Sequence, residues 1–413
     1  MSRIVRHIAV SVAATVCAVW MPLAAAQSAP VAATAEEAAQ FSRCMAGLKP
    51  AAAAAGVSAA TFDRHALSVA PDMSVLPLLN RQPEFSTPLW DYLAMLVDAR
   101  RVREGRERLA THADLLRQVQ ARYGVDAATV VAVWGVESDY GQNFGQRALL
   151  QSLGTLACFG RRQAFFRSEF FELLKIIQRG DVAAGDLKGS WAGAFGHTQF
   201  MPSTYNRIAV DFNGDGRRDL VNSIPDALGS TANYLLRSGW RVGQPWGYEV
   251  RLPRGFNLAL AGRTQRKTLR EWQAMGIARI DGKPIDLPAD TRAAVLAPTG
   301  VNGPAFIVFK NYDAIYSYNA AESYALAIAL LANALRGEPG LVQAWPTDDP
   351  GLGRDERMEL QRLLISRGHD IGKVDGMLGR ASREAISKEQ ARLGWPQDGR
   401  AGVKLLSTLR EGR

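Results

Sequence analysis

Between Asp126 and Glu137 lie ten residues without a charge, Ala127-Ala128-Thr129-Val130-Val131-Ala132-Val133-Trp134-Gly135-Val136. Asp126 is a fit N-cap, because its short side-chain oxygen can accept from first-turn N–H groups. A helix that is apolar nearly all round is stable only when other elements surround it. The segment therefore demands a helical domain large enough to bury one helix completely. Glu137 stands at the far end of this helix, beside Trp134 and Val136. Desolvation there raises a carboxyl from its usual pKa of about 4.3 towards neutrality, the condition for a general acid at working pH. The same residue would be structural if it reached solvent or paired with an arginine, and the segment alone leaves both readings open.

The rest of the chain supplies such a domain. From Ala35 to Ser238 apolar residues recur at three- and four-residue spacing, as in Phe170, Leu173, Leu174 and Ile177, which predicts mostly helix. Over about 240–310 the pattern changes to short or alternating apolar runs such as Tyr248-Glu249-Val250-Arg251-Leu252 and Phe306-Ile307-Val308-Phe309. These are separated by Gly and Pro and predict a small β-rich insertion. Helix returns from Ala321 to Leu335, and turn formers crowd residues 338–352, predicting a linker. The fold class is mainly α (α+β), with a main domain over 35–337.

Residues 353–413 have the size of a compact helical module. Their Leu360-Gln361, Val374-Asp375-Gly376, Leu378-Gly379 and Ala385-Ile386 resemble the repeat-type peptidoglycan-binding module, a three-helix-type fold with a shallow groove and no catalytic role.

The N-terminus predicts export. Arg3, Arg6 and His7 precede an apolar stretch over 8–23, and Ala24-Ala25-Ala26 precede Gln27. This is the layout of a signal peptide over 1–26. The stretch is short and broken by Pro22, which disfavours a retained anchor. Val16 before Cys17 disfavours a lipid anchor, which wants a small side chain there. The mature chain keeps Cys44 and Cys158, an even pair that an oxidising compartment permits to bridge, or else two buried thiols. Histidines are scattered singly, so zinc spacing and a Ser-His-Asp order are both missing. A net charge of +9 and a pI near 9.6 suit a polyanion, and export selects the cell wall over nucleic acid.

Leu187 to Tyr205 is dense in Gly and Ala and then punctuated by Trp191, His197, Gln199 and Tyr205. Small residues let a sugar approach the backbone, aromatics stack on pyranose faces, and Gln both donates and accepts. Together with Glu137-Ser138-Asp139-Tyr140-Gly141, this run resembles the lytic murein transglycosylase B family, glycoside hydrolase family 103, over nearly all of 35–335. The resemblance implies a lysozyme-like helical domain that cleaves the β-1,4 bond between N-acetylmuramic acid and N-acetylglucosamine, forming 1,6-anhydromuramic acid with one carboxyl as acid and base. It implies Glu137 as that carboxyl, Ser190, Trp191, Gln199, Asn233, Tyr234, Tyr318 and Tyr324 as cleft residues, and Arg161 and Arg162 as the pair near the stem peptide. Ordinary glycosidases use two carboxylates. Asp139, two residues on, should point elsewhere and is read as structural.

Asp211-Phe212-Asn213-Gly214-Asp215-Gly216-Arg217-Arg218-Asp219 reproduces the opening of an EF-hand loop, with oxygen ligands at alternate positions. Asn222 replaces the usual closing Glu. The resembling family closes a longer loop with an Asp, here Asp226, which implies a structural Ca2+ held by Asp211, Asn213, Asp215, Arg217 and Asp226; the bland alternative is an Asx-rich turn. No organic cofactor is expected. The expected partner is the glycan strand of peptidoglycan, with cell-wall synthesis or division complexes beyond it, and the expected state is a periplasmic monomer. The alternatives are a lysozyme-type muramidase and a non-catalytic wall-binding scaffold.

Overall fold

The computed structural model of the protein describes residues 33–80 and 87–413. The expected signal peptide and Cys17 lie outside the described residues. The architecture is mostly helical with one small sheet. The Ala127–Ser138 helix is capped by Asp126, whose side chain accepts from Thr129 N, and residues 128–138 are all buried. The helices Ala99–Thr111, Ala113–Tyr123, Ile224–Arg237 and Glu322–Leu335 pack around it. The last of these has a flank rich in alanine, and Ala325, Ala327, Ala329 and Ala332 are buried, so its backbone lies close to the central helix. Cys44 of the Ala35–Ala54 helix and Cys158, last of the Leu149–Cys158 helix, form a disulfide with Cα atoms 5.9 Å apart.

One difference from the sequence reading falls inside the helical region. Arg147–Ala148 pairs antiparallel with Lys188–Gly189. The approach is closest at Gly145, where a Cβ would meet the Gly189 carbonyl oxygen at 2.3 Å.

The insertion is a five-stranded antiparallel sheet in the order Arg266–Thr268, Arg292–Leu296, Ala305–Val308, Gly247–Arg251, Ala278–Arg279. Its central strands are buried on both faces. Ala294, Leu296, Phe306 and Val308 join the main helical core. Ala293, Val295, Ala305 and Ile307, pointing the other way, form a second core with Trp272 and Leu269. That two-sided burial explains the unbroken apolar run at 305–309.

Helices Arg354–Ser366, Arg380–Arg392 and Val403–Arg410 enclose a third core around Leu360, Leu364, Ile386 and Leu406. Two buried glutamines organise it in the same way. Gln361 Oε1 accepts from Asp375 N and Gly376 N at 3.0 and 2.7 Å. Gln390 Oε1 accepts from Gly399 N at 2.9 Å. Each Asp-Gly turn is thus tied to a helix, as a repeat requires. The segment before the module is not a free tether. Glu249 accepts from Val342 N and Gln343 N, both at 2.8 Å, and Trp345 packs against the main core.

Candidate active site

Glu137 is 0% exposed. Tyr324, in the first turn of the Glu322–Leu335 helix, donates its hydroxyl proton to Oε1. Oε2 is buried and has no protein partner. Burial pushes the Glu137 pKa up to about 8, with the Tyr324 hydrogen bond pulling the other way. The carboxyl is therefore mostly protonated at neutral pH, and an acid with one oxygen unengaged by protein can give up that proton.

An aromatic cluster extends from this pair. The Tyr324 and Tyr318 rings stack at 6.4 Å, Tyr318 and Tyr234 lie 4.6 Å apart, and Phe200 touches both at 5.8 and 5.9 Å. Tyr318 donates to the Thr198 carbonyl at 2.8 Å and Tyr234 to the Ser317 carbonyl at 2.7 Å. Next to Thr198, Gln199 takes a left-handed backbone conformation (φ 49°) and is fully buried. Its amide donates to Gly196 O at 2.8 Å and Phe144 O at 3.2 Å, while its Oε1 has no protein partner. Glu137, Gln199, Tyr234 and the pair Tyr318 and Tyr324 thus come together from four separated stretches of chain.

The other sequence-derived residues are held differently. Ser190 Oγ accepts from Ala194 N at 3.0 Å, closing the Gly-rich loop, and Trp191 packs half-buried on the core. The Asn233 amide group donates to Ile208 O at 2.7 Å and its oxygen accepts from Arg237 at 3.4 Å. That side chain links helices. Arg161 and Arg162 are exposed on the turn before the Gln163–Arg179 helix, with Arg161 donating to Leu79 O and Arg162 lying 4.6 Å over Phe165.

Asp139 caps the central helix in a left-handed conformation (φ 52°), and its carboxylate is bound by Arg101 at 3.1 Å and by Arg354. Burial opposes ionisation, yet the two guanidiniums hold its pKa below the usual carboxylate range. It is a paired anion held by two arginines. His197, which spacing left unassigned, supports the site from behind. It accepts from Trp134 Nε1 at 3.0 Å, and its carbonyl accepts from Ser138 Oγ at 2.6 Å. Burial pushes its pKa down to about 4, so it is neutral. The sequence marks it only as one polar residue of the Gly-rich run, since its partners are 59 and 63 residues away.

In the acidic loop, carboxylate oxygens of Asp211, Asp215 and Asp226 lie within 4.8 Å of one another. Asp226 is fully buried and accepts from Phe212 N at 2.8 Å and Asp219 N at 2.9 Å. Asp211 accepts from Gly214 N and Gly216 N at 2.7 and 2.8 Å. The sharp turn needs Gly216 at φ 86°. Asn213 donates to Asp215 at 3.0 Å, and Arg217 N donates to Asp215 at 2.9 Å, which leaves the Arg217 carbonyl as its only candidate ligand. Three hard oxygen donors converging from a fixed backbone fit a calcium ion.

The transglycosylase SLT domain family matches residues 40–333, and a peptidoglycan binding domain family matches residues 353–409. Over 235 residues the chain is 32% identical to the membrane-bound lytic murein transglycosylase B of Escherichia coli K12, spanning 54% of this chain and 60% of that relative's length. SltB3 of Pseudomonas aeruginosa, solved in complex with NAG-anhNAM-pentapeptide, is 49% identical with a TM-score of 0.72, covering 90% of this chain and 99% of that one. The Escherichia coli lytic transglycosylase SLT35, solved in complex with calcium, is 27% identical with a TM-score of 0.61, covering 73% of this chain and 92% of that one.

Proposed function

Because the chain belongs to the transglycosylase SLT domain family, we propose that it is a lytic transglycosylase that cleaves peptidoglycan glycan strands with Glu137 as its single acid and base. The observation that carries this reading is the state of the two nearest carboxyls. Glu137 is buried, protonated and free at Oε2, whereas Asp139 is ionised and bound by two arginines. A hydrolase with two working carboxylates would need the second one available.

In the proposed reaction the Glu137 proton passes to the oxygen linking N-acetylmuramic acid C1 to N-acetylglucosamine C4, and the C1–O bond breaks. The carboxylate left behind takes the proton of the muramic acid C6 hydroxyl as that oxygen bonds to C1. The products are a 1,6-anhydromuramic end and an N-acetylglucosamine with a free 4-hydroxyl, and Glu137 is protonated again. A tethered nucleophile has a high effective concentration, so no water needs to be held. Tyr324 steadies the transient carboxylate by its hydrogen bond. Half-buried Tyr234 offers a ring face to sugars, buried Tyr318 and Phe200 pack behind it, and Gln199 Oε1 offers an acceptor. The family resemblance supports Ser190, Trp191 and Asn233 as cleft residues, Asn233 and Ser190 chiefly as supports of the cleft backbone, and Arg161 and Arg162 as the pair near the stem peptide.

Asp211, Asn213, Asp215 and Asp226 with the Arg217 carbonyl would hold a structural Ca2+, which cross-links the loop and takes no part in the chemistry. The leader-like residues 1–26 support export to the periplasm, and no described helix is long and apolar enough to cross a membrane. The test is digestion of sacculi in oxygen-18 water with mass spectrometry. Unlabelled anhydromuropeptides are expected, absent with Glu137→Gln. Labelled reducing muramic acid would make the enzyme a muramidase, and no release at all would leave a wall-binding scaffold.

A further inference from the structure

The turn that follows Glu137 is held in a conformation its residues do not favour. Asp139 (φ 52°) and Tyr140 (φ 58°) are consecutive non-glycine residues in the left-handed region, which L side chains resist. Tyr140 is fixed from below. Its hydroxyl donates to Arg101 O at 2.8 Å, and its ring fits against Gly135, where a Cβ would meet it at 2.6 Å. Asp139 is fixed by charge, and its two partners come from different domains. Arg101 belongs to the catalytic domain and donates from Nη2 to Oδ1 at 3.1 Å. Arg354 is the first residue of the module's first helix and donates from Nη1 to Oδ2.

Arg354 is itself held at both ends. Its backbone N–H donates to Asp98 Oδ2 at 3.3 Å, and the other oxygen of Asp98 caps the Ala99–Thr111 helix through Arg101 N at 2.8 Å. Its Nε donates to Asp375 O, in the module's Asp-Gly turn, at 3.2 Å. A second clasp fixes the same interface. Arg400 makes a two-pronged contact to Asp91, at 2.7 and 2.8 Å, the geometry in which a guanidinium binds a carboxylate best.

We infer that Arg354 of the peptidoglycan-binding module is a positioning residue for Glu137, holding Asp139 in the strained turn that ends the catalytic helix, so that the docked module completes the active site. The inference rests on Glu137 being the acid and base. Without Arg354, one oxygen of a mostly buried carboxylate loses its partner two residues from the reacting group. Proton transfer depends on placement to a fraction of an ångström, so relaxation of this turn lowers turnover without changing what is made. The module then does more than retain the enzyme on the wall. A module that swings away leaves a slower catalytic domain behind.

The test uses the full chain and two substrates, intact sacculi and a soluble tetrasaccharide muropeptide that occupies the cleft alone. Arg354→Ala is expected to lower kcat on the short substrate about tenfold with KM and the anhydro product unchanged. Arg354→Lys should recover part of that loss. Asp139→Asn, which weakens the Arg101 contact as well, should be at least as slow as Arg354→Ala, and the double variant should be no slower than Asp139→Asn, because Arg354 acts through that carboxylate. A wild-type kcat on the short substrate with loss only on sacculi overturns the inference and makes the module an anchor, as do multiplying losses in the double variant. Should Arg354→Ala fail to fold, a wild-type kcat in Asp139→Asn is equally fatal. Turnover surviving in Glu137→Gln sinks the catalytic assignment instead, so the two failures are separable.

Discussion

Glu137→Gln should make the protein more stable, and by an amount that depends on pH. The unfolded carboxyl releases its proton near 4.5, whereas in the native state burial keeps it protonated up to about 8. Between those values the unfolded chain binds fewer protons than the native one, so stability falls as pH rises. The cost is absent below about pH 4.5, reaches roughly 3 kcal/mol at pH 7 and levels off near 5 kcal/mol above the folded pKa. Glutamine keeps the carbonyl that accepts from Tyr324 and never ionises, so it avoids this cost while nearly preserving shape. At pH 4.5 the two proteins should agree within about 1 kcal/mol.

Thermal unfolding of both proteins at pH 4.5, 7 and 8.5 reads this directly. For a body of this size about 2 °C accompanies each kcal/mol, so the variant should melt near the wild type at pH 4.5 and roughly 6 °C above it at pH 7. A melting difference constant across pH, or one that shrinks as pH rises, would refute the reasoning, since it would mean that Glu137 does not carry a raised pKa. The same protonation makes kcat of the wild type fall as pH rises through about 8.

Tyr324→Phe removes the one hydrogen bond that favours the Glu137 anion. The alkaline limb of the pH–kcat profile should move to higher pH while kcat falls about tenfold or more, because the anion must form during turnover. Calcium should raise the melting temperature of the wild type by native-state binding. Asp215→Ala, which breaks the three-carboxylate cluster, should abolish that rise, and an equal rise in both proteins removes the ion from the loop.

The parts of this molecule that were legible in sequence are those set by local rules. The Asp126 cap and the apolar run specify a buried helix, and Glu137 at its end specifies a desolvated carboxyl. The alternating strands and the Asp-Gly turns of the module are equally local. Tyr318 and Tyr324 were reached only through the family resemblance, because the contact between Tyr324 and Glu137 spans 187 residues and has no periodicity to reveal it. The role of Asp139 was half legible. Its spacing from Glu137 argued for a separate direction, but its two arginines come from 38 and 215 residues away. Asn233 came from the family resemblance alone, and its amide bonds to Ile208 and Arg237 were not legible in the sequence.

A protonated buried carboxyl and two left-handed residues behind it oppose folding, by about 3 kcal/mol at pH 7 for the carboxyl and about 1–2 kcal/mol for each residue. The Cys44–Cys158 bridge offsets this globally. It spans 114 residues, and closing a loop of that length stabilises by about 4–5 kcal/mol in the chain-entropy account. The loop contains the whole central helix. A disulfide, however, acts by restricting the unfolded chain, and it does nothing to stop the turn at 139–140 from relaxing while the rest stays folded. Global stability and local geometry need different supports. Those that act locally are the contacts of the native state itself: Tyr324 on Glu137, Trp134 and Ser138 on His197, and the arginine pair on Asp139. Reducing the bridge should therefore lower the melting temperature while leaving kcat of the folded fraction intact, whereas changes at Asp139 or Arg354 should lower kcat out of proportion to their effect on melting.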